Sequence, residues 1–214
     1  MPESSESKDA ILDAAEARFA GQGFAPTTIK QIAGDAGVNS ALIYYYFADK
    51  EALYGEVVSR LITRMSGAMS AVLAAASDPA AAITAFATQH HALLESNPRL
   101  RKLVGRELID YDAQHAQSAI RQLVANTFER LRGAIVAGQT AGIFRSDVDA
   151  RFAAISLVSQ TSYFHLARPA IAQIFAGGGA IPKEMGAEFA AHAAHFTLAA
   201  LAPITTRQLP GATL

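Results

Sequence analysis

The chain contains no cysteine. That absence excludes a disulfide framework, a zinc–thiolate site and a thiol nucleophile. No stretch approaches the ~18 uninterrupted apolar residues that a membrane-spanning helix needs. The first ten residues, MPESSESKDA, are polar and acidic. They carry neither the basic region nor the apolar region of a secretory signal. A cytoplasmic protein with no membrane contact is the expectation. Strand-type alternation of apolar and polar residues is also scarce. What is present is a 214-residue chain, 51% hydrophobic and rich in alanine, whose eight prolines mostly fall between apolar runs. Such a chain is long enough to bury one sizeable core, with room for a small second one, and the pattern predicts an all-α fold.

A basic excess is missing as well. The formal net charge is −1. Residues 1–60 hold five basic residues (Lys8, Arg18, Lys30, Lys50, Arg60) against nine acidic ones, a net of −4. Nucleic-acid binding usually shows as a basic footprint, because neutralised phosphates release counterions. Charge at the scale of a domain therefore does not argue for DNA, and any such argument must come from local geometry.

That geometry lies in the first fifty residues. Segment 8–22 reads as an amphipathic helix with Ile11, Leu12, Ala15 and Phe19 on one face. Gly21 and Gly23 punctuate its end and Pro26 stops any continuation. Thr28 and Gln31 have the spacing of a capping box, which predicts that the next helix starts there. Ile29, Ile32, Ala33 and Ala36 form its buried stripe, and Gly37 ends it. Asn39 or Ser40 then caps a short third helix through Phe47. Two short helices about a glycine-bearing turn, supported by a preceding helix, make a helix-turn-helix candidate.

On the third helix, Ile43 and Phe47 share an inward face. Ser40, Ala41, Tyr44 and Tyr45 lie off it, with Tyr46 at the margin. Tyrosine hydroxyls can donate to phosphate oxygens, and tyrosine rings can pack on sugars or a thymine methyl. Small residues at Ser40 and Ala41 let the helix start approach a groove. Lys30 and Lys50 add charge nearby. Plain core packing is the alternative reading of the tyrosines.

The run TTIKQIAGDAGVNSALIYYYFADKEAL, residues 27–53, resembles the DNA-binding region of the TetR family of bacterial regulators. The shared elements are Thr27-Thr28, Ile32-Ala33, Ala36-Gly37-Val38, Ile43-Tyr44, Tyr46-Phe47, Lys50-Glu51 and Leu53. The resemblance is tight over residues 8–55. A weaker likeness covers Ala141–Asp149, which looks like a link between late helices of that family.

The resemblance implies an N-terminal three-helix DNA-binding domain over residues 1–50, with its helix-turn-helix at about 28–47. It implies a larger helical ligand-binding and dimerisation domain over 51–214. A homodimer holding two recognition helices one DNA turn apart would bind a palindromic double-stranded operator as a repressor. A small, largely apolar effector would release it. Carried over position by position, the DNA-facing residues are Thr28, Lys30, Ser40, Ala41, Leu42, Tyr44, Tyr45, Tyr46 and Lys50. Three departures bear on base specificity. Ala41 stands where glycine is common, Ser40 where lysine or glutamine is, and Tyr45 or Tyr46 where histidine is.

Beyond residue 49 the apolar periodicity predicts helices at 50–76, 80–96, 99–111, about 116–141, 148–166 and 184–201. Asp49 caps the first of these. Gly177-Gly-Gly179 reads as a loop and not as a phosphate loop, since no Gly-Lys-Ser/Thr follows. An excess of apolar positions suggests a cavity with a few orienting polar groups. Its candidate lining is Phe86, His90, Leu94, Leu103, Arg106 and Glu107, with Tyr111, Phe128, Gln160, Tyr163 and Phe164. The run Arg99, Arg101, Lys102, Arg106 reads as a solvated face. His192 and His195 read as interface or core rather than a metal site. Alanine-rich helices 148–166 and 184–201 allow close helix approach and are the expected dimer interface.

An enzyme is the competing class. No nucleophile elbow, His-Glu-x-x-His motif or glycine-rich phosphate loop is present. The expectation is therefore no catalytic residues, no metal and no cofactor. An adaptor that keeps the fold without binding DNA is a third class, and the net of −4 is its support.

Overall fold

A computed structural model of the chain describes residues 3–204, apart from the side chains of residues 3–5, 176 and 183. Among the described residues there are α-helices and no strands. The helices are α1 Glu3–Gln22, α2 Ile29–Ala36, α3 Ser40–Tyr46, α4 Lys50–Ala75, α5 Pro79–Ser96, α6 Pro98–Asp110, α7 Gln117–Leu123, α8 Glu129–Thr140, α9 Ala150–Leu166, α10 Arg168–Ala176 and α11 Lys183–Leu201. A π-helical turn, Val124–Phe128, joins α7 to α8. The single helix expected at about 116–141 is thus two helices bridged by a wider turn. No described helix is long and apolar enough to cross a membrane.

The chain packs as two compact units. Among the described residues, the first comprises residues 3–67 and 96–124, the second residues 68–95 and 125–204. In the first unit α1 packs on α2 and α6, and α2 on α3. Ile11, Phe19, Ile32, Ile43, Leu53, Val57 and Leu103 are fully buried there. Each contributes roughly 1.5–3 kcal/mol by leaving water. In the second unit α9 packs on α8, α10 and α11. Its core includes Ile83, Phe86, Leu131, Ile135, Leu157, Phe164 and the small residues Ala154, Ala190 and Ala193.

Helix α10 has no counterpart in the sequence reading. Its proline lies in the first turn, where the missing N–H is harmless, and Gly177 closes it in the left-handed conformation with φ +55. Its outward residues Ile174 and Phe175 are exposed, so it lacks the buried stripe that betrays a helix.

Candidate nucleic-acid interface

The turn after α1 sets the entry to the motif. Gly23 takes φ +93, which glycine alone adopts easily. Thr27 then donates its hydroxyl to the Gly23 carbonyl at 2.6 Å, and Gln22 Nε2 donates to Thr27 Oγ1 at 3.2 Å. Thr28 is the N-cap of α2. Its hydroxyl accepts from Gln31 N at 3.2 Å while Gln31 Oε1 accepts from Thr28 N at 2.9 Å. This is the capping box expected from the spacing.

At the other end of α2, Gly37 is left-handed with φ +67. Val38 N donates back to the Ala33 carbonyl at 3.0 Å, closing the helix tightly. Asn39 resolves the choice of cap for α3, since its side chain accepts from Leu42 N at 2.8 Å. A two-hydrogen-bond ion pair between Arg18 and Asp35 ties α1 to α2 and holds the Asp35 carboxyl below its ordinary pKa.

These constraints fix which way α3 faces. Ile43 and Phe47 are buried, whereas Tyr44 is 57% exposed and Tyr45 79% exposed. Tyr46 is half-buried and meets the Tyr45 ring edge-on, with centroids 5.1 Å apart. Ala41, Thr28 and Lys30 are exposed, and Ser40 and Leu42 are half-buried. All eight therefore present some surface to solvent. Lys50, the ninth residue read as DNA-facing, is half-buried and engaged within the fold. Its ammonium donates to the carbonyls of Phe24 at 3.0 Å, Ala25 at 3.3 Å and Thr27 at 3.0 Å.

The acidic count of the first sixty residues also has a structural account. Arg60 reaches Asp13 at 2.6 Å, Glu16 at 3.1 Å and Asp9 at 4.0 Å. Glu16 is buried and also meets Arg64 at 3.1 Å and Arg99 at 3.8 Å. Lys8 pairs with Glu56 at 3.3 Å, and Asp49 caps α4 through Ala52 N at 2.7 Å. Two of the compensating arginines lie beyond residue 60, so a count over residues 1–60 overstates the negative charge of this unit.

The residues read as a ligand pocket divide between the two units. Leu103 and Glu107 are buried in the first, with Arg106 and Tyr111 half-buried. Arg106 donates to the Phe19 carbonyl at 2.9 Å, so it is not part of a purely solvated basic face. Glu107 accepts from His115 N at 2.7 Å and faces His115 Nδ1 at 3.1 Å. These bonds anchor a turn in which Asp112 and Ala113 take φ 48 and 62. Such left-handed angles are strained for residues with a side chain. Beside this turn Tyr54 lies buried among the rings of Phe19, Phe24, Tyr111 and His115, and burial raises the pKa of its hydroxyl.

In the second unit Phe86, His90, Leu94 and Phe164 are buried. His90 Nδ1 lies 2.7 Å from Thr161 Oγ1, which also stands 2.9 Å from the Leu157 carbonyl and 3.1 Å from that of Val158. Burial pushes the His90 pKa down to about 4. Phe128 is half-buried in the π-helical turn. Tyr163 lies on a cleft of about 470 Å³ lined also by Phe164, Phe175, Glu188, Phe189 and His192. Gln160 lines a smaller hollow of about 190 Å³ with Phe152 and Phe196. His192 and His195 are exposed on α11, and no group of three metal-ligating side chains occurs among the described residues. Phe175 and Ile171, on α10, were missed because their helix was.

Known proteins share these features. Residues 11–57 match the bacterial regulatory proteins of the tetR family, and residues 79–196 match the tetracyclin repressor-like C-terminal domain. The chain is 27% identical over 143 residues to the HTH-type transcriptional repressor KstR2 of Rhodococcus jostii, covering 67% of this chain and 70% of the relative. It is 27% identical over 171 residues to the HTH-type transcriptional repressor NicS of Pseudomonas putida, covering 79% and 80%. Among solved structures, a TetR-family regulator from Mesorhizobium loti superposes with a TM-score of 0.67 at 25% identity, over 94% of this chain and 98% of that one. The fatty acid degradation regulator FadR of Bacillus halodurans has the same fold, with a TM-score of 0.72 at 19% identity over 90% and 94%.

Proposed function

The chain belongs to the tetR family of bacterial regulatory proteins, and from this we infer that it is a ligand-responsive, DNA-binding regulator of transcription. Its relatives KstR2 and NicS are named as repressors, which favours repression here. We assign operator binding to residues 1–50 and effector binding and dimerisation to residues 51–214.

The observation that carries this reading is the orientation of α3. Its residue Ile43 and the C-capping Phe47 are buried, and its outward face presents Tyr44 and Tyr45 to solvent. Two exposed tyrosine rings on one short helix suit contact with phosphates, sugars and base edges in a major groove. Tyr46, Ser40, Ala41 and Leu42 complete that face, and Thr28 and Lys30 flank it from α2. Arg64 and Arg99, which lie beyond residue 60 and pair with Glu16, reduce but do not reverse the negative charge of this region.

Dimerisation is assigned to α9 and α11. Both are rich in alanine and carry the exposed apolar side chains Phe152, Ile155 and Phe196. Solvent-exposed apolar side chains of that size on neighbouring helices are suited to a four-helix contact with a second copy. The effector is a small, largely apolar molecule held by the second unit, whose interior and cleft are lined mainly by aliphatic and aromatic groups.

A fluorescence-anisotropy titration against the DNA flanking the protein's own gene, at two salt concentrations, tests the reading. Tight, salt-sensitive binding with two subunits or a multiple per site is expected. Affinity no better than for random DNA, in a folded dimer, would count against it.

A further inference from the structure

We propose that Lys50, which the family pattern places at the DNA backbone, is instead a positioning residue that clamps the two ends of the helix-turn-helix together. The proposal rests on the DNA-binding reading above.

An ammonium group has three N–H donors. Those of Lys50 are matched by three carbonyls, of Phe24 at 3.0 Å, Ala25 at 3.3 Å and Thr27 at 3.0 Å. The same nitrogen stands 4.3 Å from the centre of the Phe24 ring, within cation–π range. In this arrangement no donor is left for a phosphate oxygen.

The carbonyls belong to the turn between α1 and α2, where the backbone leaves the helix and its acceptors have few main-chain partners. Gln22 and Thr27 hold the turn through side-chain bonds to Thr27 Oγ1 and to the Gly23 carbonyl. Lys50 binds it through three further carbonyls. The turn delivers Thr28, the N-cap of α2, while Lys50 is the first residue of α4, directly after α3 and Asp49. One side chain thus joins the entry of the segment 28–49 to its exit, and both short helices lie between. Loss of the clamp lets the start of α2 drift relative to α3, and a misplaced pair of helices meets a groove poorly.

The two roles differ in what arginine can replace. Arginine keeps the charge and binds phosphate well, but its planar fork does not converge on three carbonyls as an ammonium does. The experiment measures operator affinity against salt for the wild type, Lys50→Arg, Lys50→Gln and Lys30→Gln, with amide hydrogen exchange of Thr27 and Thr28 in the DNA-free proteins. For a clamp, both Lys50 variants weaken operator binding by roughly tenfold or more, the scale of charged hydrogen bonds lost. Their salt slopes stay near the wild-type value, and exchange at Thr27 and Thr28 accelerates. Lys30→Gln, which changes an exposed lysine, leaves that exchange unchanged.

Wild-type affinity in Lys50→Arg would overturn the proposal. So would a salt slope in Lys50→Gln lower by about 0.9, the signature of one lost phosphate contact. If the wild-type protein binds no DNA, the regulator reading falls and exchange alone decides. Unchanged protection of Thr27 and Thr28 then overturns the clamp as well.

Discussion

Gly186 of α11 faces the imidazole of His91 on α5, so closely that a β-carbon at Gly186 would stand 2.3 Å from His91 Cε1. The imidazole has little room to retreat. It stacks on His165 with ring centroids 5.0 Å apart, and its Nδ1 lies 3.0 Å from His165 Nε2. The approach of the two helices is thus specified by a missing side chain.

Gly186→Ala is expected to destabilise the protein by about 1–3 kcal/mol, as overpacking in a filled site does. Gly133, inside α8, has open space where a methyl group would project. Gly133→Ala should therefore stabilise by about 0.5–1 kcal/mol through helix propensity. Urea unfolding of the pair checks this. Equal effects of the two substitutions would show that the His91 contact does not constrain α11.

Acid should weaken the second unit in a defined window. Folding holds His90 neutral by burial, with a pKa of about 4 against an ordinary 6.5. The unfolded chain therefore takes up a proton that the folded chain refuses. The stability associated with neutral His90 is complete above about pH 6.5 and is lost as pH falls towards 4, by roughly 1.4 kcal/mol per unit at the steepest. Burial lowers the His91 pKa in the same direction. Unfolding free energies between pH 7 and 4.5 should decline, and His90→Asn should flatten the decline. An unchanged pH profile in that variant would remove His90 from this explanation.

Surface and core positions of α3 should separate cleanly. Tyr44→Ala and Tyr45→Ala alter exposed side chains, so unfolding should shift by no more than about 0.5 kcal/mol. Operator affinity should nevertheless fall about tenfold, as expected for the loss of a base or backbone contact. Ile43→Ala should do the reverse first, lowering stability by about 2–5 kcal/mol through a cavity. Wild-type operator binding by both tyrosine variants would sink the assignment of this face.

Local chemistry made much of the fold legible. The Thr28–Gln31 box, the left-handed Gly37, the caps of α3 and α4, and most helix limits depend on neighbours within a few residues, and these stand as the spacing predicts. What could not be read depends on partners far along the chain. Glu107 looks like a pocket carboxylate in sequence, yet it fixes the turn at His115; Arg106 looks solvated, yet it holds the end of α1. The acidity of residues 1–60 is partly offset once Arg64 and Arg99 are placed beside Glu16. An apolar excess predicts that a cavity can exist. It carries no sign of which unit each residue joins, and so the predicted lining mixes two cores. Phe175 lay beyond reach because α10 hides no apolar stripe.

The decisive measurement is selection of bound sequences from a random duplex library by the full-length protein. A dimer reading DNA through paired α3 helices should enrich palindromic sites whose half-sites lie one helical turn apart, ~10 base pairs centre to centre. Tyr44→Ala and Tyr45→Ala should weaken that enrichment. Recovery of single, unpaired half-sites, or of no sequence preference at all, would contradict recognition by paired α3 helices.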